Sequence, residues 1–124
     1  MAIDKKHLSQ NIELEKSVTH RLVEIVDYVP GSVITKSILR KKSGTITLCS
    51  FDAGEVWPVK SSPFDNMVQV LDGEAEIIID ENSTTLETGQ TIVIPAHMWN
   101  SIKANKPFKM LSIIVKSGYE DVGL

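Results

Sequence analysis

The sequence predicts an all-β domain, an antiparallel sandwich or barrel carried behind a short N-terminal arm and helix. Two observations predict it. From about residue 30 onward apolar and polar residues alternate in short runs rich in Val, Ile and Thr. Gly, Pro, Asn and Asp fall between those runs at close spacing, as strand–turn–strand architecture requires. The chain has 124 residues, enough for one hydrophobic core and too few for two ordinary domains.

The elements follow in order. Residues 1 to about 16 are polar and weakly patterned, which predicts a loose arm. Val18, Leu22, Ile25 and Val26 then fall at i, i+4, i+7 and i+8, one side of a short helix, and Pro30–Ser32 ends it. Val33–Arg40 and Thr45–Phe51 read as strands joined by a turn at 41–44. "MVQVL" at 67–71 and "EAEIIID" at 74–80 flank Asp72-Gly73, a dipeptide suited to a tight hairpin turn. "DENS" at 80–83 turns the chain again before a strand at Thr84–Glu87, and Gly89 and Pro95 bracket the short strand "QTIVI". "FKMLSIIVK" at 108–116 is apolar on both faces, which predicts a central strand covered on both sides. The expected division is an arm and helix at 1–29, a β domain at 30–117 and a tail at 118–124.

Composition excludes several functions. Net charge is -3 and the basic residues are dispersed, so the footprint of a nucleic-acid binder is missing. No apolar run approaches the roughly 20 residues of a membrane-spanning helix. The opening residues lack the apolar stretch of a secretory signal, and the expected location is cytoplasmic. Cys49 is the one cysteine, so no internal disulfide forms. Its place in an alternating strand predicts a small buried apolar side chain.

Two spaced motifs carry a resemblance. Gly54 is followed by Lys60, Ser62, Asn66 and Gly73, and Gly89 is followed by Pro95, His97, Asn100 and Ala104. In these spacings the chain resembles the cupin family of small jelly-roll barrels. The first cupin motif runs Gly, five residues, His, one, His, three or four, Glu, six, Gly. The second runs Gly, five, Pro, one, Gly, two, His, three, Asn. Gly54, Gly73, Gly89 and Pro95 keep the backbone positions, while Lys60, Ser62, Asn66 and Asn100 replace the four metal ligands. The resemblance covers about 90 residues and implies a cupin jelly-roll barrel.

Cupin metals are held by imidazoles and one carboxylate. A lysine ammonium repels a cation, and serine and asparagine are neutral and weak donors. The expectation is therefore no metal and no cofactor. Asp65 and His97 are the only conventional ligands in the two motif segments, too few for a relocated site. His7 and His20 lie outside the barrel sequence.

The resemblance implies that the motif positions face the barrel mouth. The candidate ligand-binding residues are Lys60, Ser62, Asn66 and Asn100, with His97 at the rim. Val68 and Val70 share the face of Asn66, and Phe108, Met110, Ser112 and Ile114 share a face of the last strand. Each polar residue also has a local reading: Lys60 pairs with Asp65, the short polar side chains bond loop backbone, and His97 sits idle at the rim. Trp57 and Trp99 are expected to cover barrel edges or a subunit contact, the alternative being to stack on a ligand.

The functional expectation is a metal-free cupin that binds a small polar or anionic molecule in a sensing or accessory role. One alternative is a metal-independent isomerase, epimerase or lyase using Lys60 or His97 for proton transfer. The other is a structural or interaction domain with a filled barrel. Because 45–51 and 108–116 are apolar on both faces and one barrel has one interior, a homodimer is expected.

Overall fold

The computed structural model describes residues 7–116. The expected tail at 118–124 lies outside the described residues. The elements are β1 (His7–Asn11), α1 (Leu22–Ile25), β2 (Val33–Lys41), β3 (Gly44–Phe51), β4 (Val56–Lys60), β5 (Asp65–Ile79), β6 (Asn82–Glu87), β7 (Thr91–Ile94), β8 (Asn100–Lys103) and β9 (Phe108–Val115). The all-β expectation holds, and the strands curl into two facing layers.

One layer runs β1-β2-β3-β9-β5, with β7 also on β5. The other is formed by β4, β8, β6 and the second half of β5. β5 belongs to both. Its residues 65–73 pair with β9, and its residues 74–79 pair with β6. The expected hairpin turn at Asp72-Gly73 is therefore corrected, because the strand runs straight through it. Gly73 does adopt the positive φ (+82°) that the dipeptide promised, but it spends it on the corner between layers. The turn expected at 80–83 does form, at Asp80-Glu81, where Asp80 has φ +54° and Ile79 pairs with Asn82.

Side chains pointing between the layers make the inner core, including Cys49, Phe51, Val68, Val70, Ile77 and Phe108. The outer face of the first layer is apolar too, at Ile34, Leu48 and Leu111, and the chain's own N-terminal segment covers it. Ile12, Leu14, Leu22, Ile25 and Val26 pack there. This corrects the expected loose arm: β1 pairs with β2 in parallel, and the Ile12 and Leu14 N–H groups donate to Ser37 and Ile38 carbonyls at 2.9 and 3.3 Å. Side chains from the sheet then hold the segment by alternate carbonyls. Lys109 Nζ donates to Val23, Lys36 Nζ to Ile25 and Ser50 Oγ to Asp27, at 2.7, 2.8 and 2.7 Å. Tyr28 donates its hydroxyl to Asp72 at 2.5 Å, beside the corner.

The predicted helix shrinks to the single turn of α1. Val26 is already extended (φ -114°, ψ 134°) and fully buried, and Val18 is exposed. The surplus apolar face that predicted a second subunit is thus partly covered within the chain. Met67, Val93 and Val115 remain exposed on it.

The corner yields a stability prediction. A Cβ at Gly73 would collide with the Pro107 carbonyl oxygen and lie 3.1 Å from the Phe108 Cα, both of them backbone. Left-handed backbone costs an L-residue about 1–2 kcal/mol, and the collision adds to it. Gly73→Ala should lower unfolding stability by at least about 2 kcal/mol in a urea titration, with Gly54→Ala, where no atom crowds the new Cβ, costing less.

Candidate functional site

The barrel mouth is built by strand alternation with one interruption. On β5, Asn66, Val68 and Val70 point inward. The two valines are fully buried and form the floor, and Asn66 sits above them half-buried. Ser112 of β9 donates to Asn66 Oδ1 at 2.7 Å, fixing the amide against the wall.

On the opposite layer, β4 pairs with β8 through Trp57↔Ile102 and Lys60↔Asn100, with a register shift between them. Strict alternation from Trp57 would turn Val59 inward and Lys60 outward. The shift, at Pro58 on a terminal strand where a missing N–H is tolerated, reverses this. Val59 is 66% exposed, and the Lys60 ammonium lies over the Trp57 ring at 4.3 Å from its centroid. Trp57 meets Phe51 edge-on at 5.1 Å, and Phe51 stacks on Phe108 at 4.5 Å, so an aromatic column runs from the mouth into the core.

Lys60 is exposed as a whole residue, yet desolvation of its ammonium pulls its pKa below the usual lysine range, with Cys49 pulling weakly the other way. Cys49 does not supply a counter-charge. Burial pushes its thiol up to about 12, against which Lys60 acts in the lowering direction, so it stays neutral. Asp65 does not pair with it: its Oδ1 accepts the Ala96 N–H at 2.8 Å, and no ion pair joins it to Lys60. Among the described residues no carboxylate lies within ion-pair distance of Lys60.

The other expected site residues hold the rim together. Asn100, 6% exposed, donates from Nδ2 to the carbonyls of Lys60 and Met98 at 3.2 and 3.1 Å. Ser62 Oγ accepts the Phe64 N–H at 3.2 Å, and its carbonyl accepts the His97 N–H at 2.6 Å. His97 has φ +69°, a conformation that favours glycine, and its side chain is exposed. The structure thus pairs Lys60 with Trp57 on β4 and Asn66 with Ser112 on the facing layer, and engages Ser62, Asn100 and His97 in backbone contacts at the rim. Trp57 as the platform for Lys60 was missed from sequence, since the shift at Pro58 leaves no periodic signal.

The four motif positions do not fit a transition metal. The Asn100 amide nitrogen is engaged twice by carbonyls, and the Asn66 oxygen is engaged by Ser112. Among the described residues no three His, Cys, Asp or Glu side chains converge as a ligand set.

The family model described as "Cupin domain" matches residues 44–114, more than half of the chain. The chain belongs to the cupin family. A conserved protein of unknown function from Streptococcus pyogenes is 33% identical, with 83% of this chain and 90% of that one covered at a TM-score of 0.79. A cupin 2 conserved barrel domain protein from Leptotrichia buccalis is also 33% identical, covering 76% of this cupin and 46% of that chain at 0.74. A cupin superfamily protein from Desulfitobacterium hafniense is 25% identical, with 82% and 94% covered at 0.78. No curated protein matches the sequence.

Two measurements check this geometry. Elemental analysis of untagged protein should find well under one equivalent of any transition metal after dialysis, and a stoichiometric ion would overturn the misfit. Cys49 should not react with a disulfide reagent at pH 8 in the native state and should react fully in denaturant, since burial keeps it a thiol.

Proposed function

We propose that this cupin works without a metal and binds a small polar or anionic molecule at the barrel mouth, in a sensing or accessory role. The observation that carries the reading is Lys60: an ammonium turned over Trp57, partly desolvated, with no carboxylate partner among the described residues. An incoming anion supplies the missing counter-charge. The Asn66 amide and Ser112 hydroxyl, already oriented by each other, supply hydrogen bonds, and Trp57 supplies a flat apolar wall. The valine and phenylalanine floor below is closed, which limits the ligand to a small molecule.

An acid–base enzyme is less well supported. His97 and Lys60 sit on different elements, and among the described residues neither has a hydrogen-bonded carboxylate to orient it as proton transfer requires. A second copy of the chain seated on the exposed Met67, Val93 and Val115 completes the proposal as a homodimer.

The sign of the charge effect is testable. A lysine whose folded pKa lies below its unfolded value opposes folding at neutral pH, because the unfolded chain binds the proton more readily. Stability should therefore rise as pH climbs from the folded pKa toward the unfolded value of about 10.4. Lys60→Met should remove that rise and leave the ligand-free protein at least as stable at pH 7. A charge-assisted contact contributes about 1.5–3 kcal/mol, or about ten- to a hundred-fold in affinity. In a thermal-shift screen of small carboxylates and phosphates, the wild type should be stabilised and Lys60→Met should not. Equal shifts in both proteins would remove Lys60 from binding.

A further inference from the structure

The inner face of the first layer changes character toward its free edge. Deep in the barrel its rows are apolar: Val33, Phe51 and Phe108 are in register across β2, β3 and β9. Nearer the open end a different row crosses four strands. Asn11 pairs with Ser37, Ser37 with Thr47, and Thr47 with Ser112. Every one of these inward residues carries an amide or hydroxyl. Neighbouring residues on the outer side of the same strands, Ile38, Leu48 and Leu111, are apolar and lie under the N-terminal segment.

The polar groups are organised in pairs. Ser37 and Thr47 hydroxyls are 3.4 Å apart, and one row deeper Ser9 and Thr35 hydroxyls are 2.8 Å apart. A hydroxyl engaged once still has donor or acceptor capacity left for a ligand. Ser9, Thr35 and Ser37, with Asn11, Arg40 and Thr45, line an open groove of about 320 Å³, within the size range of small-molecule sites of about 300–1,000 Å³.

A backbone irregularity adds a charge. Alternation from Val33 through Thr35 and Ser37 would put Leu39 inside and Arg40 outside. The register shift between Ser37 and Leu39 lets Ile38 and Leu39 both face outward and returns Arg40 to the inner face, opposite Thr45. Bulges re-aim side chains in this way. Arg40 Nη1 donates to Asn11 Oδ1 at 3.1 Å, which fixes the guanidinium at the head of the groove. Among the described residues it has no carboxylate partner. Its other N–H donors form the planar fork suited to a carboxylate or phosphate.

We propose that the groove between β1, β2 and β3 binds a small polyhydroxylated anion, with the acid group on Arg40 and the ligand hydroxyls on the Ser9–Thr35 pair and Ser37. This site does not depend on Lys60. Sugar acids and sugar phosphates share the required chemistry.

The test is isothermal titration of the full chain with gluconate and glucose 6-phosphate, and with glucose and acetate as the two halves of the chemistry. At least one polyhydroxylated anion should bind tenfold or more tightly than either half, and which one binds distinguishes carboxylate from phosphate. Arg40→Gln and Thr35→Val should each weaken that binding, Arg40→Gln by about tenfold or more, while Lys60→Met leaves it unchanged. Thr35→Val preserves shape and strand preference, so it keeps the test alive should Arg40→Gln fail to fold. Amide shifts in an NMR titration should fall within residues 9–11 and 35–47. The proposal is overturned if neither anion outbinds glucose and acetate, or if Lys60→Met removes binding while Arg40→Gln and Thr35→Val retain it. The last result would place the ligand at the mouth and uphold the reading of Lys60 alone.

Discussion

The fold depends on one strand staying continuous across a corner. β5 carries fifteen residues and pairs with β9 and β7 before Gly73 and with β6 and β8 after it. No other strand joins the two layers in this way among the described residues. The corner sits where the Pro107 carbonyl and Phe108 approach too closely for any Cβ, so glycine is demanded by contact as well as by φ. The Tyr28–Asp72 bond and the Lys109–Val23 bond fasten the N-terminal segment at the same place. Hydrogen bonding to Asp72 and desolvation both hold the Tyr28 hydroxyl protonated, desolvation being the larger cause, so the clasp remains a donor over the ordinary pH range. Corner, cover and core are therefore coupled.

That coupling explains why the motif glycines remain where the motif ligands do not. Gly73 is required by the backbone whatever the mouth contains. The ligand positions answer to chemistry alone, and here they have been turned to other uses. Asn100 and Ser62 bind rim backbone, and Asn66 binds a neighbouring strand. Polar side chains at these positions close their hydrogen bonds locally, because an unpaired buried polar group costs about 1–3 kcal/mol. Lys60 is the exception, since an ammonium over an indole has no acceptor in hand.

Much of the fold was legible in the sequence, and the reasons for the gaps are physical. β2, β3 and β6 announce themselves by β-branched runs between turn residues, β7 by its bracketing Gly89 and Pro95, and β9 by a run apolar on both faces. β4 does not, because Pro58 breaks its pattern, and β8 has only four residues. Asp72-Gly73 misled because the positive φ of a hairpin turn and of a corner look identical in one sequence. The arm misled because its strand is polar and wholly exposed, held by backbone pairing that leaves no periodic trace. Of the expected site, Lys60 and Asn66 lie at the mouth, while Ser62, Asn100 and His97 hold loops through contacts that side-chain identity alone does not encode.

Register shifts account for the rest of the site. Both cations on the inner surface, Lys60 and Arg40, lie just beyond an irregularity that reverses alternation, at Pro58 in β4 and at Ile38 in β2. In each strand the neighbour that alternation would have sent inward, Val59 or Leu39, is apolar and exposed instead. Val59, 66% exposed, forgoes part of the about 1.5–3 kcal/mol that full burial contributes, and Leu39, 39% exposed, a smaller part. Two strands have made the same exchange, apolar out and cationic in, on opposite layers of one barrel. Both proposed anion sites rest on this exchange, a cation brought to the inner surface at some expense of burial.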